Sequence, residues 1–137
     1  MNLMAKVVIK GHSADNSSPS YDYIDDNPND KVGAFIMGEC VGVANITNDP
    51  ALGSYLFMTV YGDSLIASSK PAKNITFLLW RHDSGQIYEL ENILNDGNIA
   101  PIVFKTNNTI GLPPAEPITL KVSNKMEQDL YLTEGWN

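Results

Sequence analysis

Apolar residues recur along this chain in short runs with the period of a β-strand, broken by clusters of Gly, Asn, Asp, Ser and Pro. KVGAFIMGECVGV (Lys31–Val43), SYLFMTVYG (Ser54–Gly62) and NITFLLWRHDSGQIYEL (Asn74–Leu90) follow one another as strands and tight turns. In the first run Val32, Ala34 and Ile36 alternate with Gly33, Phe35 and Met37, so both faces are largely apolar. The pattern predicts a hairpin of Lys31–Met37 and Glu39–Ile46 turning near Gly38. Small residues at Gly33, Ala34, Gly42 and Ala44 point to close packing against another sheet. Ile75–Trp80 is apolar on both faces, which predicts a central strand with Phe77 in the core. His82–Gln86 (HDSGQ) has hairpin-turn chemistry and leads into Ile87–Leu90.

Leu3–Lys10, Tyr55–Tyr61, Ile99–Lys105, Ile118–Val122 and Leu130–Thr133 complete about nine strands. Gly11–Asp30 reads as a long polar loop, Asn45–Ser54 as a connector and Gly62–Lys73 as a second loop, in which Pro71 blocks a ladder. Only Glu89–Asn95 suits even a short helical turn. Strands at this spacing predict an all-β fold, a two-sheet antiparallel β-sandwich of immunoglobulin-like or jelly-roll type. One domain is expected over residues 1–133, with 134–137 opening a truncated following segment.

Charge narrows the partners. Sixteen acidic residues against nine basic ones give a net charge of −7 and a pI near 4.6. Such a surface repels phosphate backbones and anionic lipid, so neither nucleic acid nor a membrane is an expected partner. No apolar run approaches the roughly 20 residues of a membrane-spanning helix. The N-terminal MNLMAKVVIKGH lacks the apolar core of an export signal, so any such signal would lie upstream. Cys40 is the only cysteine, which excludes an internal disulfide; its apolar strand context predicts a buried, inert thiol.

Catalytic patterns are weak. His12 and His82 lie far apart and neither has a ligand-spaced partner. His82, Asp83 and Ser84 are adjacent in a turn, where they cannot converge as a triad must. No nucleophile-elbow, zinc-protease, phosphate-loop or dinucleotide motif is present. Asn-x-Ser/Thr sites at Asn16, Asn45, Asn74 and Asn107 fit chance in Asn-rich loops.

Two constellations remain. DYIDDNPND (Asp22–Asp30) carries carboxylates at Asp22, Asp25, Asp26 and Asp30 with amides at Asn27 and Asn29, the hard oxygens that calcium takes. Its spacing is not that of an EF-hand, and a solvated loop is the plainer reading. The aromatic residues offer flat faces for sugar rings, with Tyr21, Tyr23, Tyr61, Trp80 and Tyr88 as candidate ligand-binding residues beside Tyr55 and Trp136. Tyr61, Trp80 and Tyr88 sit in strand patterns, where core packing competes with binding.

GAFIMGECVGVA, then YLFMTVYGD, ITFLLWRHDSGQIYEL and IGLPPAEPITL, resemble a module of large secreted and cell-surface proteins in Bacteroidota-like and Fibrobacter-like bacteria, marked by a GECRGVA-type signature. The resemblance covers roughly Lys31 to Leu120. Val41 stands where that family commonly has Arg, and Arg81-His82 follows Trp80 where an acidic residue is common. The resemblance implies an extracellular, non-catalytic accessory module of sandwich fold. It would bind a polysaccharide or a surface protein while neighbouring domains of the same polypeptide do chemistry. The alternative is a structural spacer or fibre-forming domain with no small ligand.

Overall fold

The computed structural model describes residues 1–11, 21–62, 73–113 and 115–126. Its eleven strands are β1 (Asn2–Gly11), β2 (Tyr21–Ile24), β3 (Lys31–Ile36), β4 (Glu39–Asn45), β5 (Thr47–Asp49), β6 (Gly53–Thr59), β7 (Asn74–Trp80), β8 (Ile87–Ile93), β9 (Ile102–Val103), β10 (Thr109–Ile110) and β11 (Ile118–Met126). The protein is all-β, as the strand pattern predicts. The two-sheet sandwich, however, gives way to one main sheet that curls towards closure.

That sheet runs β4-β3-β7-β8-β11-β1-β6-β5, and β5 continues β4 after Ile46 alone. The last strand in the path is therefore an extension of the first. Thr47 pairs with Tyr55 and Asn48 with Ser54 across β5 and β6. The same register carried backward meets Val41, whose carbonyl accepts the Tyr61 N–H at 2.8 Å. Gly42 makes this approach possible, because a Cβ there would stand 2.7 Å from the Thr59 carbonyl oxygen. The small residues of β4 thus serve a seam within one barrel rather than a contact between two sheets. All pairings are antiparallel except those of β1 with β10 and β11.

Alternation explains the interior. Leu56, Met58 and Val60 point inward to join Leu3, Ala5, Val7, Val32, Ile36, Phe77, Leu79 and Leu120 in a continuous buried core. Each Val, Leu, Ile, Met or Phe side chain withdrawn from water contributes roughly 1.5–3 kcal/mol. The barrel is filled by side chains, as small barrels are. β7 lies between β3 and β8, so its predicted central place holds, and Phe77 is 3% exposed. Its other face holds Leu78, which packs with Phe35 and Ile87 into a smaller cluster bordered by Cys40 and Trp80. Cys40 is half-buried, contrary to the expected full burial. A register shift between Ala34 and Phe35 places it at the hairpin's end, where Sγ lies 3.6 Å from the Gly42 carbonyl oxygen.

Several boundaries differ from the sequence reading. The expected Gly11–Asp30 loop contains β2, which pairs with the end of β1, and the Asn45–Ser54 connector contains β5. The helical turn expected within Glu89–Asn95 is instead β8, because β11 supplies Leu90–Ile93 with ladder partners that override local propensity. Only Ile102–Val103 of the expected Ile99–Lys105 strand is strand. The predicted strand at Leu130–Thr133 and the segment 134–137 lie outside the described residues. At the β3–β4 turn Met37 and Gly38 both have positive φ, 53° and 81°, the type I′ geometry that matches strand twist.

Candidate functional site

Three places on this barrel carry more than packing. The first is the outer face of β6. With Leu56, Met58 and Val60 turned inward, alternation turns Tyr55, Phe57, Thr59 and Tyr61 outward. Tyr61 is 70% exposed, Phe57 47% exposed and Tyr55 half-buried. Successive outward positions on one strand lie about 7 Å apart, so these rings form a strip along the barrel wall. Met4 lies opposite Phe57 on β1, Thr59 Oγ1 is hydrogen-bonded to Asn2 Oδ1 at 2.8 Å, and exposed Val43 lies across the seam on β4.

The other aromatic candidates are dispersed. Tyr21 is on β2, with a side chain outside the described ones. Tyr23 pairs with Ile9, whose side chain enters the core, so it lies on the inner face of the sheet although it is 37% exposed. Trp80 is on the outer face of β7, with Lys31 Nζ 5.9 Å from its ring and the His82 ring edge-on at 5.6 Å. Half-buried Tyr88 donates its hydroxyl to Gln86 Oε1 at 2.6 Å. Of the four whose side chains are described, Tyr61 belongs to the strip. Phe57 was not among the candidates because an apolar ring in a strand reads as core; the alternation of Leu56, Met58 and Val60 is the signal that turns it outward.

The second place is the segment from Asp22 to Asp30, which crosses one mouth of the barrel. Asp25 donates its N–H to the Val7 carbonyl at 2.7 Å, and Asp30 accepts at its carbonyl from Ile46 N–H at 3.4 Å. These ties draw two carboxyls inside: Asp25 is 2% exposed and Asp30 fully buried. Asp30 Oδ2 lies 2.8 Å from Arg81 Nε and its Oδ1 accepts the His82 N–H at 2.9 Å. Asp25 Oδ1 accepts the Asn27 N–H at 3.0 Å. Burial would lower the Arg81 pKa, but the Asp30 charge, the Tyr23 hydroxyl beside the guanidinium and Asp25 together raise it.

Asp25 is the unusual member. Burial first, then its contact with the Asp30 carboxyl, push its pKa up to about 7, against the opposing pull of the Asn27 N–H and Arg81. Two carboxylates cannot donate to each other, and Asp25 Oδ2 and Asp30 Oδ2 are both buried without an aligned donor. A proton on Asp25 supplies that donor. The cluster then holds one negative charge, on Asp30, against one positive charge, on Arg81.

The remaining carboxylates of the calcium expectation point elsewhere. Asp22 pairs with Lys121 at 2.9 Å, and Asp26 is exposed, its carbonyl accepting from Asn48 Nδ2 at 3.0 Å. Among the described residues no group of three or more His, Cys, Asp or Glu is placed to hold a metal ion. Arg81 already supplies a positive charge beside the two buried carboxyls.

The third place is a fork. β7 and β8 pair from Trp80/Ile87 to Phe77/Leu90 and then part. Into the gap comes the segment returning from β8: Ile99 bridges Ile93, Ala100 donates its N–H to the Asn92 carbonyl at 3.0 Å, and β9 pairs Ile102 with Ile75 and Val103 with Asn74. The parting leaves a half-open crevice of about 510 Å³, with Glu89, Glu91, Asn74 and Thr76 above an apolar floor. Sequence reasoning missed it, since a fork is a property of pairing partners and not of local pattern.

No protein-family model, no curated protein and no solved structure matches the chain.

Proposed function

We propose that this protein is a non-catalytic binding module of a larger secreted or cell-surface protein, and that the outer face of β6 holds an extended carbohydrate chain. The aromatic strip of Tyr55, Phe57 and Tyr61 supports this reading. Large rings held open to water cost solvation unless something covers them, and a pyranose ring offers a flat C–H face for stacking. Phe57 is fixed by a strand whose alternate residues are locked in the core, and Tyr61, two residues past its end, by its N–H bond to the Val41 carbonyl, so little freedom is lost on binding. A net charge of −7 favours a neutral polysaccharide over an anionic one. In this reading neighbouring domains of the same polypeptide carry the chemistry and the barrel holds the substrate near them.

The test is co-sedimentation with cellulose, chitin, xylan and mannan, comparing the wild type with Phe57→Ala/Tyr61→Ala. Both positions are solvent-facing, so the circular dichroism spectrum should be unchanged. Retention of the wild type on at least one polymer and a tenfold or greater loss in the variant are expected, because stacked aromatic rings dominate such contacts, each being worth about 1 kcal/mol or more. Equal retention of both proteins would refute the strip. Retention of neither would favour the spacer or assembly domain.

A further inference from the structure

We propose that the fork between β7 and β8 is a second binding site, separate from the β6 strip, for a primary ammonium group carried on an apolar body. The crevice is built before any ligand arrives. Asn92 Nδ2 donates to the Ala100 carbonyl at 3.0 Å, Ala100 N–H returns to Asn92, and β9 fastens the far side to β7. Two hydrogen bonds and a short ladder hold the strands apart, so opening it requires no rearrangement.

Its chemistry is one-sided. Glu89 and Glu91 occupy successive outward positions on β8, about 7 Å apart. Asn74 and Thr76 face them from β7, and among the described residues no Lys or Arg lines the crevice. Of the cations whose side chains are described, Lys121 lies opposite Glu91 and is already 2.9 Å from Asp22. Among the described residues, neither glutamate has an ion-pair partner. Both are half-buried at the edge of an apolar floor, where a charge-assisted hydrogen bond is stronger than on open surface. Exposed Ile99 and Pro101 form an apolar wall on which an alkyl chain can lie. An alkylammonium satisfies both halves of the site. A carboxylate or phosphate would meet two like charges, and a neutral alcohol would leave the glutamates without a counter-charge.

The experiment is a two-dimensional amide NMR titration of the whole chain with n-butylamine, and with n-butanol as the neutral match, at about 0.15 M salt to screen exposed charge. Saturable shifts confined to residues 74–77, 89–92 and 99–102 are expected with the amine. Binding should be about tenfold weaker for the alcohol, and about tenfold weaker for the amine in Glu89→Gln/Glu91→Gln, the loss of one charge-assisted contact. The glutamine variant keeps side-chain shape, and an unchanged melting temperature shows that it folds. Shifts scattered over the acidic surface, equal binding of amine and alcohol, or undiminished binding by the glutamine variant would each overturn the proposal. Phe57→Ala/Tyr61→Ala should bind the amine as the wild type does, so failure of the strip and failure of the fork are read separately.

Discussion

Phe77 and Asp30 are both withdrawn from water, one in the middle of the barrel and one at its mouth, yet burial has opposite meanings for them. Around Phe77 every neighbour gains from exclusion of water, and packing is its own support. Asp30 loses hydration that only Arg81, the His82 N–H and a proton on Asp25 restore. Solvent exposure alone therefore does not identify the stabilising residues of this fold. The mouth is held by a balance of charges, so it responds to pH while the middle does not.

The largest effect should come from the middle. Phe77→Ala should cost roughly 3–5 kcal/mol in chemical denaturation, the usual range for deleting a buried aromatic ring. The loss should be the same at pH 5 and pH 8; a pH-dependent loss would show that core and mouth are coupled.

Breaking the mouth should come close to that. Arg81→Met keeps much of the side-chain volume but leaves Asp30 without its cation, and should cost about 3 kcal/mol at pH 8. At pH 5 the cost should shrink, because Asp25 is then protonated and only one carboxylate is left without the cation. A loss below about 0.5 kcal/mol would reduce the ion pair to a surface contact.

Asp25 sets the sign of the pH response. Its folded pKa of about 7 lies above the ordinary 3.8 of the unfolded chain, so between those values the folded state holds a proton that the unfolded state has released. This contribution to stability is fully present below pH 4 and is lost as pH rises to 7, with a slope approaching about 1.4 kcal/mol per unit. Asp25→Asn carries a permanent donor towards Asp30 and should flatten that slope. The variant should be more stable than the wild type at pH 8 by about 1–3 kcal/mol. Parallel stability–pH curves for the two proteins would refute the protonated pair.

The smallest effect belongs to neither region and serves as a control. Met37 has φ 53° and is 76% exposed in a type I′ turn, where Asn is the preferred residue before Gly. Met37→Asn should add about 0.5–1 kcal/mol at every pH. A destabilised variant would mean that the Met37 side chain has a contact that its exposure conceals.

Much of the middle was legible in the sequence, because Val32, Ala34, Ile36, Phe77 and Leu79 lie in short runs apolar on both faces, the mark of a central strand. The hairpin at Gly38 was legible for the same reason. The closing of the barrel was not. It depends on Gly42 approaching Thr59 across a seam, and small residues in a strand announce a close approach without naming what approaches. The mouth was misleading, since Asp25 and Asp30 look solvated in a polar segment and their counter-charge, Arg81, lies some fifty residues away. Of the β6 strip, Tyr55 and Tyr61 were legible among the aromatic residues able to face a sugar, and Phe57 was not.

β1 lies beside β11, with Ala5 opposite Ile118 and Val8 opposite Lys121. The wall of the barrel therefore stays incomplete until the last described strand is available. A nascent chain emerging from the ribosome would carry β1 and the β3–β4 hairpin well before the strand that joins β1 to β8. Bringing together segments so distant in the chain is entropically slow, and refolding in milliseconds to seconds is the regime of such topologies. During that interval the flank of β1 later covered by β11 is an open ladder, and the chain is most exposed to mispairing with its neighbours before β11 docks.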